Sequence, residues 1–333
     1  MRLIAAALLV ISLLVSVPIF AQDPAPTDTS GLDAPAGTSI PLPTMGARPA
    51  PANAVRSEDG GTVMQALFPN LPQGGIGVVR VYGVNPSGSP ITSVTASFLD
   101  EAITFFPAHV DEIEDSFYGI VSAGMEQNAR SGYELIAAIT YADNSAINLT
   151  IPVQIIIGPF IRQIVTLPPD TAHLLDAELE RSELARLESI HAGYTLERLW
   201  DGESFRMPIP NELTSPFGAF RTFNDVINTR HTGWDIRTTL GVPIMATQNG
   251  RVAFSGRLEI RGSHVIIDHG YGVYSGYSHL SQVHVTTGQE VVAGQIIGLT
   301  GSTGRTSGPH FHWEMAVNGQ FIDSVSFIEM WLP

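Results

Sequence analysis

The sequence predicts a mainly β protein made of two modules joined by a helix, and three observations predict it. Between Ile76 and Ile157, short runs rich in Val, Ile, Thr and Tyr are separated by turn clusters such as Asn85-Pro86-Ser87-Gly88 and Asn128-Ala129-Arg130-Ser131-Gly132. From Phe217 onward the chain is again β-rich and dense in glycine, with turn signals at Gly241-Val242-Pro243, Asn249-Gly250, Arg261-Gly262 and Asn318-Gly319. Between the two, residues 170–192 carry the one clear helical pattern. The implied order is an N-terminal β-sandwich of immunoglobulin-like type over 69–158, a linker with a helix over 159–205, and an antiparallel β domain over 206–333.

Composition narrows the chemistry. At 333 residues and 44% hydrophobic, the chain is long enough for two cores. The formal charge of −15 is uneven, because residues 211–333 hold seven Arg and nine Asp/Glu and the acidic excess lies ahead of them. All 17 basic residues are Arg and none cluster, which argues against nucleic acid as a partner. The absence of cysteine removes disulfides, thiolate ligands, a thiol nucleophile and a lipidated cysteine. Any metal must rest on His and Asp/Glu.

In chain order, Met1–Ala21 has Arg2, an apolar run from Leu3 to Val17 and a small-residue end, the pattern of a secretory signal cleaved after Ala21. The run is short against the roughly 20 residues of a spanning helix, so the expectation is export with no stable membrane span, an uncleaved anchor being the alternative. Residues 22–68 read as a disordered Pro/Ala/Thr-rich spacer. In the sandwich, Ile147, Leu149, Ile151, Val153 and Ile155 alternate with polar residues and Pro152, which marks an edge strand; His109 reads as a surface or packing residue. For the helix, Asp176 is the expected N-cap, Glu178 and Glu180 favour the first turn, and Gly193 follows its end. Its His173 and His191 read as surface residues. Gly288–Gly298 resembles the hairpin of biotinyl/lipoyl domains but has no lysine to modify, leaving a plain tight hairpin.

The chemistry concentrates near the C-terminus. In a strand over His310-Phe311-His312-Trp313-Glu314, alternation puts His310, His312 and Glu314 on one face and Phe311, Trp313 and Met315 on the other. One face suits a metal and the other a core. His231-Thr232-Gly233-Trp234-Asp235 adds an imidazole and a carboxylate, and Tyr277-Ser278-His279-Leu280 a further imidazole, a set that reads as a zinc hydrolase site.

Phe217-Gly218, His231-x-x-x-Asp235, Tyr277-x-His279-Leu280, Gly301-Ser302-Thr303-Gly304 and Gly308-Pro309-His310-x-His312 together resemble the lysostaphin-type zinc endopeptidases, over about residues 211–330. The resemblance implies one zinc ion per domain held by His231, Asp235 and His312, with His279 and His310 as catalytic histidines. It also implies a secreted or envelope enzyme that hydrolyses peptide cross-links or stem peptides of bacterial peptidoglycan. The alternative is an inactive relative that binds wall peptide or activates an amidase. His264, His269 and His284 match no ligand position and read as structural, Asp268 as a turn former, and Glu314 as a groove-edge or solvated carboxylate. The small residues Gly276, Ser278, Gly301 and Gly304 suit a narrow peptide groove. Some family members place a tyrosine shortly before the first histidine; here none occurs between Tyr194 and Tyr271.

Overall fold

The computed structural model describes residues 43–110, 115–202 and 204–333. The expected signal sequence and most of the expected spacer lie outside these residues. The N-terminal module is two antiparallel sheets face to face. One runs Asn53–Arg56, Thr62–Ala66, Ile76–Gly83, Ser116–Ser122, Phe106–Ala108; the other runs Ala146–Val153, Tyr133–Tyr141, Ile91–Phe98, Glu101–Thr104. Alternation places Leu135, Ala137, Ile139, Leu149, Ile151 and Val153 inward against Met64, Val79 and Val81, each buried aliphatic contributing about 1.5–3 kcal/mol. Ala146–Val153 is an edge strand, as Pro152 requires.

Two strands, Asn53–Arg56 and Thr62–Ala66, lie inside the stretch expected to be unstructured spacer. They are only four and five residues long, preceded by Pro49-Ala50-Pro51-Ala52 and separated by a turn containing Gly60-Gly61, so the composition of a longer window hides them.

Strand Ser116–Ser122 is buried at every position, which one covered face cannot explain. Its second face, with Val78, Phe106, Tyr118 and Ile120, joins the core of the C-terminal domain. Tyr118 packs on Trp331 and Phe106 on Trp200, at ring distances of 5.8 and 5.4 Å. Ser122 Oγ donates to the Val317 carbonyl at 3.0 Å and Asn318 Nδ2 to that of Ile120 at 2.9 Å. The two modules share an apolar, hydrogen-bonded interface.

The helix spans Ala177–His191, and the Asp176 carboxylate caps it by accepting from the Glu178 and Leu179 amides. The earlier part of the predicted range, Pro169–Leu174, is a 3₁₀ turn. Leu187 packs with Leu258, Ile266 and Tyr274 of the C-terminal sheet. His191, expected at the surface, is buried against the rings of Tyr274 and Phe321, because the helix docks along its length instead of bridging solvent.

The C-terminal domain is one ten-stranded sheet whose central order is Leu213–Ser215, Gly233–Arg237, His310–Val317, Val273–Val283, Gly262–Gly270, Gly250–Leu258, all antiparallel. Phe311, Trp313 and Met315 enter its core as alternation predicts. Glu290–Val291 and Ile296–Thr300 do not pair with each other, so the expected hairpin is absent. The first joins Gly250–Leu258, the second Pro243–Met245 and Val273–Val283, and only the tight turn between them remains. A small separate sheet pairs Arg162–Val165 in parallel with Phe220–Phe223, itself antiparallel to Ile227–Arg230.

Gly233 faces Glu314 across the strand pair, and a Cβ there would stand 2.2 Å from the Trp313 carbonyl oxygen. Gly233→Ala is expected to cost about 1–3 kcal/mol by overpacking, read as a lower urea midpoint. His269 sits fully buried between the Asn249 carbonyl and Ser275 Oγ, and burial pushes its imidazole down to about 4. The unfolded chain takes up that proton near 6.5 and the folded chain only near 4, so this stability is complete above about 6.5 and drains as pH falls towards 4. At about 1.4 kcal/mol per pKa unit, His269 accounts for about 3 kcal/mol of that loss. In zinc-free protein the urea midpoint should therefore fall across this window, and His269→Gln should flatten the slope while lowering the midpoint at pH 7. An unchanged slope contradicts the assignment.

Candidate metal centre

Strand register assembles the centre. Gly233–Arg237 and His310–Val317 pair with Asp235 directly opposite His312, and Val273–Val283 pairs on the other side with Ser278 opposite His312. His231 stands just before the first strand, its amide bonded to the Ala219 carbonyl. His231 Nε2 lies 3.0 Å from Asp235 Oδ1 and 2.9 Å from His312 Nδ1, and His312 Nδ1 lies 2.9 Å from Asp235 Oδ1. Among the described residues these three form the one group of acidic and imidazole side chains whose ligand atoms converge in this way, and all three are buried.

Each ligand atom is aimed by a bond on its far side. His231 Nδ1–H donates to the Pro216 carbonyl at 2.7 Å, leaving the Nε2 lone pair inward. His312 Nε2–H faces Glu314 Oε1 at 3.0 Å, leaving Nδ1 inward. Asp235 uses Oδ1 inward, while Oδ2 accepts from Arg221, whose guanidinium is braced by Ser215 Oγ and Gln163 Oε1. Burial alone would push the Asp235 carboxyl up, but the Arg221 charge and the bonds from His231 and His312 outweigh it and hold it well below the usual range.

Burial lowers the His231 imidazole to about 4. For His312 burial is outweighed by Glu314 and Asp235, which raise it. The two carboxylates beside His312 thus favour positive charge at the cluster, the electrostatics of a cation site. A tetrahedral zinc with bonds of about 2.0–2.1 Å places its ligands about 3.3 Å apart, so the observed spacing accepts the ion with a few tenths of an ångström of relaxation. Two oriented imidazoles and one carboxylate are a donor set that fits zinc.

Two further imidazoles stand beside the cluster. The His279 and His310 ring centroids are 4.8 Å apart, and His279 is 5.9 Å from His312. His279 Nδ1–H donates to the Thr303 carbonyl at 2.7 Å and His310 Nδ1–H to that of Gly308 at 2.9 Å, so in each ring Nε2 is the nitrogen left for the site. Burial, with the neighbouring His310 and His312, holds His279 well below its ordinary value and therefore neutral.

His279 reaches this place through a β-bulge. Tyr277 pairs with Val265 but Leu280 with Ser263, so one extra residue is accommodated, and His279 takes φ +60°. Tyr277 and Leu280, three apart, both enter the core. Simple alternation would have turned one of them out, and a non-glycine residue at positive φ inside a strand is itself a mark of a functional position.

Several residues differ from their sequence reading. Glu314, expected at the groove edge, is 2% exposed and bonded to His312, Arg261 and Thr232. Gly276, Gly301 and Gly304 face backbone or packed side chains, and Ser278 is buried against His264, so none of the four shapes a groove. The cleft at the centre, about 50 Å³, is instead lined by Arg221, Phe223, Arg230, Ile260 and Arg305, with no tyrosine. It shares Glu180, Arg221, Thr229, Arg230 and Thr232 with an adjoining cavity of about 550 Å³ beside the helix. No sequence motif marks Arg221 or Arg261, which lie 14 and 53 residues from Asp235 and Glu314, the carboxylates they bind. His264 and His269 are fully buried and hydrogen-bonded. Asp268 Oδ1 accepts from the Gly270 amide, the expected turn.

Residues 229–324 match the model of peptidase family M23. The chain is 40% identical over 116 residues to a DD-carboxypeptidase/endopeptidase, Mpg, of Neisseria meningitidis, covering 34% of this chain and 26% of that protein. It is 38% identical over 95 residues to the peptidoglycan DD-endopeptidase ShyA of Vibrio cholerae, covering 28% and 22%. The chain thus spans about a quarter of the length of these relatives. A solved structure from Pseudomonas aeruginosa, described as a candidate peptidase M23, shares the fold with TM-score 0.56 over 78% of this chain and 95% of that one, at 22% identity. The matched residues hold His231, Asp235, His279, His310 and His312, and this part of the chain matches peptidase family M23.

Proposed function

We propose that this chain is a zinc metalloendopeptidase that acts outside the cytoplasm on peptide amides of bacterial peptidoglycan. The observation that carries the reading is the meeting of His231 Nε2, Asp235 Oδ1 and His312 Nδ1 within 3.0 Å of one another, with the imidazoles of His279 and His310 beside them. The substrate class comes from the relatives, peptidoglycan DD-endopeptidases among them.

In this reading His231, Asp235 and His312 hold one zinc ion. Bound zinc supplies a Lewis acid and lowers the pKa of a water to about 7. The chain's own residues do the proton work. His279 Nε2 accepts a proton from the water as it adds to the scissile carbonyl, which its neutral state and its Thr303 bond prepare it to do. His310 Nε2, 3.6 Å from Asp235 Oδ1, borders the same space and fixes the water's direction of approach. As the tetrahedral adduct breaks its C–N bond, the His279 imidazolium returns the proton to the leaving amine, and the products are a carboxylate and an amine. Arg221 keeps Asp235 ionised and fixes which oxygen turns inward. A wall-binding protein without activity would need neither of the two further imidazoles, so their presence beside the cluster favours the enzyme.

His312→Ala should lose zinc and activity together. His279→Ala should keep zinc and lose about 10²–10⁴-fold in rate. Zinc content by elemental analysis and dye release from labelled peptidoglycan read the two separately; normal turnover in either variant contradicts the reading.

A further inference from the structure

The helix ahead of the peptidase domain presents two carboxylates one turn apart, and both grip elements of the metal centre. Glu180 pairs with Arg305, in the loop that leads to His310, and the Arg305 guanidinium lies over the Phe223 ring at 4.7 Å. Glu183 reaches further in. Its carboxylate accepts from the Ile260 amide at 2.7 Å, the Arg261 amide at 3.0 Å and Arg261 Nη1 at 3.2 Å, and only 5% of the residue is exposed.

Arg261 continues the chain of contacts. Its Nε lies 3.0 Å from Glu314 Oε2 and its Nη2 2.6 Å from Oε1, a bidentate pair, and Nη2 also reaches Thr232 Oγ1, next to His231. Glu314 Oε1 then holds His312 Nε2–H at 3.0 Å. A planar guanidinium so held on both sides has one orientation, and it passes that orientation to the Glu314 carboxylate. Partners behind a ligating histidine set its tautomer and ring direction, and losing one typically costs 10–100-fold in metal affinity.

We propose that Glu183, on the helix ahead of the domain, is a positioning residue for His312, acting through Arg261 and Glu314, so that docking of this helix sets the zinc affinity of the centre. The inference rests on the reading of His312 as a zinc ligand. It gives the helix a role beyond joining two modules: the peptidase sheet does not complete the support of its own metal ligand, and the segment before it supplies the last carboxylate.

The test is zinc affinity of the full chain, measured in competition with a chromophoric chelator, for E183Q, E314Q, the double variant and E180Q. E183Q is expected to raise the zinc Kd about 10-fold, and the double variant no further than E314Q alone, because both act along one line of contacts. E180Q, on the same face but tied to Arg305, should lower the thermal midpoint and leave the zinc Kd within about twofold. If E183Q does not fold, Glu183→Asp retains the charge with a shorter reach, and a several-fold weaker zinc Kd is then expected. Unchanged affinity in the folded Glu183 variant, or a double variant whose loss is the product of the two single losses, overturns the proposal. A wild-type chain that takes up no zinc defeats the proposed function itself; a wild-type chain that binds zinc with the affinity of E183Q defeats this inference alone.

Discussion

The centre depends on one register: Asp235 lies directly across the strand pair from His312. Because side chains alternate, a slip of one residue would carry either ligand to the opposite face and dissolve the cluster. The register is held from the other face, where Phe311, Trp313 and Met315 fill the core, and by Gly233, whose missing side chain lets the two backbones approach. Apolar burial thus stabilises the position of polar ligands that, without a cation, cost free energy to bury together.

Around that register the structure spends its remaining charges on orientation. Arg221 takes the outer oxygen of Asp235, Pro216 the outer nitrogen of His231, and Glu314 that of His312. Arg221 is itself braced by Gln163, and Arg261 by Glu183, both from the segment between the modules. The outer sheet face of the sandwich is itself buried against the C-terminal core. The same shared interface explains why strand Ser116–Ser122 is buried throughout.

Much of this was legible in the sequence wherever a periodicity or spacing of a few residues carries the information. Alternation over His310–Met315 predicts both the inward imidazoles and the core face, the Asp176 cap predicts the helix start, and Pro152 predicts an edge strand. What escaped are relations that local pattern does not encode. The Arg261 partner of Glu314 is 53 residues away, so Glu314 read as solvated. The bulge at His279 breaks alternation by one residue, and only a paired strand defines a bulge. His191 read as exposed because the helix sequence does not say what packs on it. The two short strands between Asn53 and Ala66 gain their stability from neighbours, at lengths where intrinsic preference decides little.

The account stands on three side chains sharing a single ion. An anomalous difference map recorded at the zinc absorption edge, from crystals of the full chain grown with zinc, tests it directly. The expected result is one strong peak within bonding distance, about 2.0–2.2 Å, of His231 Nε2, Asp235 Oδ1 and His312 Nδ1. No peak among these atoms, or zinc held elsewhere while they keep contacting one another, contradicts it.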